Sequence, residues 1–213
     1  MAIKRTPESE HIRLEGMRVY EKEYASFGVI CGIDEAGRGP LAGPVVAAAA
    51  ILPMDHDFFY LDDSKKVTEK RRAVLFDEIR DHAISFGIGT ADEQRIDEIN
   101  ILQATYEAMR SAISQLDPVP ALTLNDAVTI PSIPQKQVPL IKGDSLSVSI
   151  AAASILAKVT RDRYMIEMDA IYPEYGFARH KGYGTADHIR AIRKYGPCPI
   201  HRRSFLKNIL GEE

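Results

Sequence analysis

The stretch from Gly28 to Pro53, GVICGIDEAGRGPLAGPVVAAAAILP, constrains the fold of this chain more than any other. The apolar run from Val29 to Ile33 reads as a buried strand that ends on two adjacent acids, Asp34 and Glu35. A glycine-rich turn, Ala36 to Pro44, follows, and a second apolar strand, Val45 to Leu52, runs back. Ionised carboxylates at the seam between core and turn are costly unless paired or bound to a cation. Either the pair simply faces water at the sheet edge, or it serves a ligand.

The turn favours the second reading. It carries Gly37, Gly39, Gly43 and Arg38, so its backbone can approach a ligand closely and offer N–H groups to an anion. It is not a dinucleotide loop: Gly43 falls one residue late for G-x-G-x-x-G, and Pro40 and Pro44 remove donors. A G-x-x-x-x-G-K-[ST] phosphate loop is absent from the chain.

Along the chain, Ser9 to about Ala25 reads as one short amphipathic helix after a loosely attached start. A helix runs from about Thr68 to His82, and Ser85 to Thr90 alternates like a third strand. Glu93 to Leu116 forms one or two helices closed by Asp117-Pro118. Ala121 to Asp126 is a short strand ending on an acid. Thr129 to Gln137 is a loop, and Val138 to Ile141 is a last strand leading to Lys142-Gly143-Asp144. A long, small-residue-rich helix spans Ser147 to about Ile171, where Asp162 is expected to pair with Arg161 or Arg163 and Asp144 is a possible cap. Asp187 to Tyr195 is a further helix, and Pro197 to Leu210 a tail rich in Pro, Arg and Lys. A hairpin followed by helix-linked strands implies an α/β fold with a mixed five-stranded sheet.

Three strands therefore end in acid, at Asp34-Glu35, Asp126 and Asp144, and ligand sites collect at such ends. Four carboxylates brought together repel unless cations sit among them. Oxygen donors suit Mg²⁺ or Mn²⁺, while the six histidines and two cysteines show no zinc spacing. The net charge of −3 argues against nucleic acid, but its distribution does not. Residues 158 to 207 hold eleven of the 27 basic and only five of the 30 acidic residues, as a phosphate-tracking face beside an acidic centre would. Two cysteines make no disulfide framework, and neither a signal segment nor a membrane-length apolar run is visible, so a soluble cytoplasmic protein is expected.

The sequence G-I-D-E-A-G-R-G-P-L-A-G-P-V-V-A-A-A resembles the signature of the type 2 ribonucleases H, the ribonuclease HII family. Asp62-Asp63-Ser64-Lys65-Lys66, Lys142-Gly143-Asp144-Ser145, Ser149 to Asp162, and Lys181-Gly182-Tyr183-Gly184-Thr185 follow in the family's order, so the resemblance covers roughly Gly28 to Leu206. It departs at Ala127, where the family usually has glycine after the acid. The resemblance implies a ribonuclease H-like fold at residues 28–170, behind a short helical extension at 1–27 and before a helical, substrate-binding region at 171–213. It implies that Asp34, Glu35, Asp126 and Asp144 hold two divalent ions, that Gly37-Arg38-Gly39 senses a ribose 2′-OH, and that Tyr183 stacks on the next sugar. Lys65, Lys66, Lys142 and Lys181 are the phosphate-contact candidates. The implied activity is cleavage of the RNA strand of RNA–DNA hybrids and at single ribonucleotides in duplex DNA, by a monomer. Another metal nuclease of the same fold, or a hybrid-binding module without catalysis, are the competing readings; loss of an acid would signal the latter, and all four are present.

Overall fold

The structure is a computed structural model and describes residues 6–211. Strands β1 (Ile30–Ala36), β2 (Val45–Ile51), β3 (Ser85–Ala91), β4 (Leu122–Asp126) and β5 (Lys136–Leu140) form one sheet in the order β3-β2-β1-β4-β5. The hairpin makes β1–β2 antiparallel, and β2–β3 is antiparallel across the long connection that carries residues 69–82 as a helix, whereas β1–β4 and β4–β5 are parallel. The sheet is mixed and five-stranded, as the order of sequence patterns predicts. The helices are α1 (Pro7–Met17), α2 (Val19–Glu23), α3 (Glu69–His82), α4 (Glu93–Ser114), α5 (Val148–Ile171), α6 (Phe177–His180), α7 (Ala186–Tyr195) and α8 (Arg203–Leu210).

Alternation along β2 divides the core. Val46, Ala48 and Ala50 pack with α3 and α5, while Ala47 and Ala49 join Cys31, Ile33 and the apolar side of α4. These strand residues are small, so the helix backbones settle close to the sheet. A Cβ placed on Gly32 would lie 2.1 Å from the carbonyl carbon of Ser149, inside α5. Gly87 and Gly89 let α4 approach from the other side in the same way. A third buried cluster joins Ala42 of the turn and Met165 of α5 to Tyr175, Phe177, Ile192 and Leu206.

Several boundaries differ from expectation. Asp34 and Glu35 do not follow the first strand but lie within β1, because β2 continues to pair with them, Ala48 opposite Asp34 and Ala47 opposite Glu35. The N-terminal segment is two helices from Pro7 onward, because Arg18 interrupts it to hold Glu15, Asp57 and the carbonyl of His56. Residues 1–5 lie outside the described residues. The last strand begins at Lys136, where Gln137 ties the preceding loop down at both the N–H and the carbonyl of Ile130. The tail contains α8, whose Leu206 is buried with Ile209 and Leu210 in one cluster, while Phe205 turns to the separate cluster on the α4 side of the sheet. Asp162 pairs with neither neighbour. Adjacent helical residues diverge by about 100°, and it bonds Lys158 one turn back at 2.7 Å and Arg72 at 3.7 Å.

The close contact at Gly32 has a measurable cost when filled. Gly32→Ala should lower stability by roughly 3 kcal/mol or prevent folding, since backbone atoms of α5 cannot yield. Gly16→Ala in α1, with nothing within 4 Å, should instead stabilise by about 0.5–1 kcal/mol. Chemical denaturation of the two variants checks this; similar small effects would contradict the packing.

Candidate metal centre

Asp34 leaves β1 toward α5, Asp126 ends β4, and Asp144 sits on the 3-10 turn Gly143–Ser145 that leads into α5. Their carboxylate oxygens lie within 4.8 Å of one another. Asp34 and Asp144 are buried, with relative exposures of 6% and 5%. Local bonds hold the acids in place: the Asp34 carboxylate accepts the N–H of Glu35 at 2.7 Å, and that of Asp126 accepts the N–H of Gly143 at 2.7 Å. Asp144 does not cap α5, which is capped by Ser147.

Burial, followed by the charges of Glu35 and Asp126, holds the Asp34 proton well above the ordinary carboxylate range. Burial and then the charge of Asp63 raise Asp144 in the same way. Glu35 starts on the opposite face of β1 yet lines the same cavity, reaching Arg38 at 3.5 Å. It stands beside the three clustered acids rather than among them, because β1 is still paired at this position. Its Oε2 is buried without a hydrogen-bond partner, and burial raises its pKa. Clustered hard oxygen donors that repel one another, with an unsatisfied carboxylate oxygen beside them, fit a divalent cation such as Mg²⁺ or Mn²⁺.

The adjacent turn is shaped from beneath by two buried arginines. Arg161 donates to the carbonyls of Pro44, Lys181 and Ala42, each at 2.9 Å. Arg202 donates to Gly43 at 2.8 Å, Arg38 at 3.1 Å, Pro40 at 2.8 Å and Gly37 at 2.6 Å, and its own N–H reaches Leu41 at 2.9 Å. Every carbonyl from Gly37 to Pro44 except that of Gly39 is thus held by residue 161 or 202. Gly37, at φ +98°, has Arg161 where a Cβ would go, so no other residue fits. Burial and then the charge of Arg161 push Arg202 down to about 9, which leaves it cationic at neutral pH.

Gly37, Arg38, Gly39, Lys65 and Tyr183 line one cavity of about 280 Å³ with Asp34 and Glu35. Tyr183 is 47% exposed, and its ring faces Gly39, whose Cβ would lie 3.8 Å away. Burial opposes charge on Lys65, but Asp63, Asp144, Asp34 and Asp126 outweigh it and raise its pKa. Lys66 reaches Ser145 at 3.1 Å and Lys142 is exposed. The Lys181 ammonium turns back onto the carbonyl of Ala178, away from an open phosphate-binding pose. Ala127 occupies a left-handed conformation, φ +53°, that glycine adopts freely and that costs alanine roughly 1 kcal/mol.

Sequence reasoning missed the two arginines, Asp63, and the cavity residues Ser64, Ser154 and Lys158. Asp63 and Ser64 lay in a quoted motif as plain loop. Arg161 and Arg202 read as surface charge, since each stands among polar neighbours, Thr160 and Asp162 for one and His201 and Arg203 for the other.

Comparison with known proteins agrees with this geometry. The family model described as ribonuclease HII matches residues 31–208. Ribonuclease HII of Lachnoclostridium phytofermentans is 61% identical over 201 residues, covering 94% of this chain and 79% of that protein. Its counterpart in Acetivibrio thermocellus is 60% identical over 205 residues, covering 95% and 80%. The crystal structure of ribonuclease H2 from Pyrococcus horikoshii superposes with a TM-score of 0.71 at 27% identity, covering 85% of this chain and 97% of that one. With two close relatives and a matched model spanning the hairpin, the acids and the tyrosine turn, this chain belongs to the ribonuclease HII family of hydrolytic endonucleases.

Proposed function

We propose that this chain hydrolyses the RNA strand of RNA–DNA hybrids and nicks duplex DNA on the 5′ side of a single embedded ribonucleotide, leaving 5′-phosphate and 3′-hydroxyl ends. One observation carries the reading. Asp34, whose carboxylate oxygens lie within 4.8 Å of those of Asp126 and Asp144, opens into the same cavity as Gly37-Arg38-Gly39 and Tyr183. Asp34, Asp126 and Asp144, with Glu35 beside them, would hold two Mg²⁺ or Mn²⁺ ions, which when bound supply an activated water and stabilise the departing 3′ oxygen.

The chain's own groups do the rest. The turn, its carbonyls drawn inward, presents the Gly37 and Gly39 backbone to the 2′-OH that separates RNA from DNA. Tyr183 stacks on the deoxyribose that follows, and Lys65, Lys66 and Lys142 contact phosphates, with Lys181 a weaker candidate because its ammonium is already engaged. The division into a 28–170 catalytic unit with flanking segments, and action as a cytoplasmic monomer, complete the proposal. Among the described residues no helix is long and apolar enough to cross a membrane. The direct test is to incubate the protein and Mg²⁺ or Mn²⁺ with duplex DNA carrying one ribonucleotide and to map the nick; intact DNA, or cleavage elsewhere, refutes the reading.

Asp126→Asn should abolish cleavage while leaving hybrid binding within about twofold, because it removes a cation ligand and no phosphate contact. Unchanged turnover would reduce Asp126 to a structural acid.

The raised pKa of Asp34 gives a stability test. An acid with an elevated folded-state pKa contributes stability below its unfolded value that is lost as pH rises through the folded value. At pH 8.5 in chelator, Asp34→Asn should therefore melt higher than wild type by at least about 2 °C, with the gap closing toward pH 5. Mg²⁺ should raise the wild-type melting temperature and move the variant less. A variant less stable than wild type at pH 8.5 contradicts the electrostatics described.

Tyr183→Ala should depress kcat/KM for a single embedded ribonucleotide roughly tenfold more than for continuous RNA, a stacking contact being worth about 1–3 kcal/mol. Equal losses would make Tyr183 a general binding residue.

A further inference from the structure

Behind Tyr183 lies a row of buried imidazoles that the chemistry above does not use. His188 Nδ1 is 2.9 Å from the carbonyl oxygen of Tyr183, and its Nε2 is 3.0 Å from Nε2 of His201. His201 Nδ1 in turn is 2.9 Å from the backbone nitrogen of Cys198. His188 and His201 are 0% and 2% exposed.

The two ends of this row assign every proton in it. A backbone N–H can only donate, so Cys198 requires a bare Nδ1 on His201. The His201 proton then sits on Nε2 and is donated to Nε2 of His188. That leaves the His188 proton on Nδ1, donated to a carbonyl that can only accept, that of Tyr183. Burial pushes both rings down to about 4, so each stays neutral with one proton at working pH. A third ring, His180, stacks on His188 with centroids 4.5 Å apart and is fixed independently, accepting from Gly182 at 3.2 Å and donating to Tyr175 at 2.8 Å.

The row reaches further than the tyrosine. His201 bridges Ala42 in an antiparallel β-bridge, the Gly43 N–H reaches Ile200 at 2.8 Å, and the next residue, Arg202, grips the carbonyls of the glycine turn. The N–H of Leu41 also bonds the carbonyl of Gly182, beside Tyr183, at 2.8 Å. The dipeptide His201-Arg202 thus holds the 2′-OH-reading turn with one residue and, through His188, the sugar-stacking ring with the other.

We propose that His188 and His201 are positioning residues for junction recognition: their hydrogen-bonded row fixes the Tyr183 carbonyl and so seats the ring against Gly39 at the spacing that one ribose followed by one deoxyribose requires. The inference rests on the reading of Tyr183 given above. Neither histidine touches substrate; each acts through the tyrosine turn. A purely structural pair would lower both activities together when altered, whereas a positioning pair shifts the ratio between substrates.

The experiment uses the full chain with Mg²⁺ and measures kcat/KM on duplex DNA with one ribonucleotide and on a continuous RNA–DNA hybrid. Compared are wild type, Tyr183→Ala, His188→Leu, His188→Asn and the double variant His188→Leu/Tyr183→Ala. His188→Leu should lower the single-ribonucleotide to continuous-RNA ratio by roughly five- to tenfold. His188→Asn, which keeps a donor at the δ position but offers His201 no acceptor, should recover only part of the ratio. In the double variant the ratio should equal that of Tyr183→Ala alone, because the histidine acts only through the ring. An unchanged ratio in His188→Leu beside a lowered one in Tyr183→Ala overturns the inference alone, as do fully additive losses. An unchanged ratio in Tyr183→Ala overturns the reading of the tyrosine and the inference with it. Nitrogen-15 NMR of the wild-type rings supplies a readout independent of folding in the variants: His188 protonated at Nδ1 and His201 at Nε2 supports the row, and the opposite tautomers overturn it.

Discussion

Two guanidinium groups without carboxylate ligands, buried under a turn of eight residues, are the contact on which the rest of this site depends. A buried cation is expensive unless its donors are satisfied, and Arg161 and Arg202 satisfy theirs almost wholly on main-chain carbonyls. The exchange works in both directions. The carbonyls neutralise the cations, and the cations prevent the turn from relaxing into the ordinary hairpin connection that its prolines and glycines would allow. Lysine could not substitute, because one ammonium lacks the planar fork that reaches several carbonyls at once.

The acids beside this turn are held against their own preference. Asp34, Asp126 and Asp144 are packed close in a partly desolvated corner, and the protein offers them backbone N–H groups and serines rather than arginine. Lys65, which lines the cavity with Asp34, is held more firmly cationic by the cluster, yet the acids keep raised pKa values beside it. Such frustration is what a cation-binding centre requires, since a fully neutralised cluster has no affinity left to offer. The cost falls on a domain whose sheet is clasped on both sides through glycine and alanine.

Much of this was legible in the sequence. Strand number, sheet type, the hairpin and the acid that ends β4 follow from apolar runs bounded by turn residues, and the quoted motifs carried the family. Four features were not legible in the local pattern. Asp34 and Glu35 lie inside β1 because the backbone of β2 goes on pairing with them, an effect of the partner strand with no local signal. α8 was legible only through the family resemblance, which implied a helical C-terminal region, because its apolar spacing within a Pro- and Arg-rich tail was short. The partners of Asp162 come from one turn back and from another helix, Lys158 and Arg72. Arg161 and Arg202 looked like surface charge because composition cannot tell a buried cation from an exposed one; only a count of the turn's unpaired carbonyls would have asked for them.

The clamp also orders events in the life of the chain. Gly37 and Arg202 are separated by 165 positions, yet the carbonyl of one depends on the guanidinium of the other. Strands β1 to β4 and their helices can collapse as soon as they leave the ribosome, since their contacts are nearer in sequence. The turn cannot take its final shape until residue 202 has been made. The acids can therefore come together before the glycine turn is fixed, so a chain ending before residue 202 would hold the acids beside a turn that lacks its clamp.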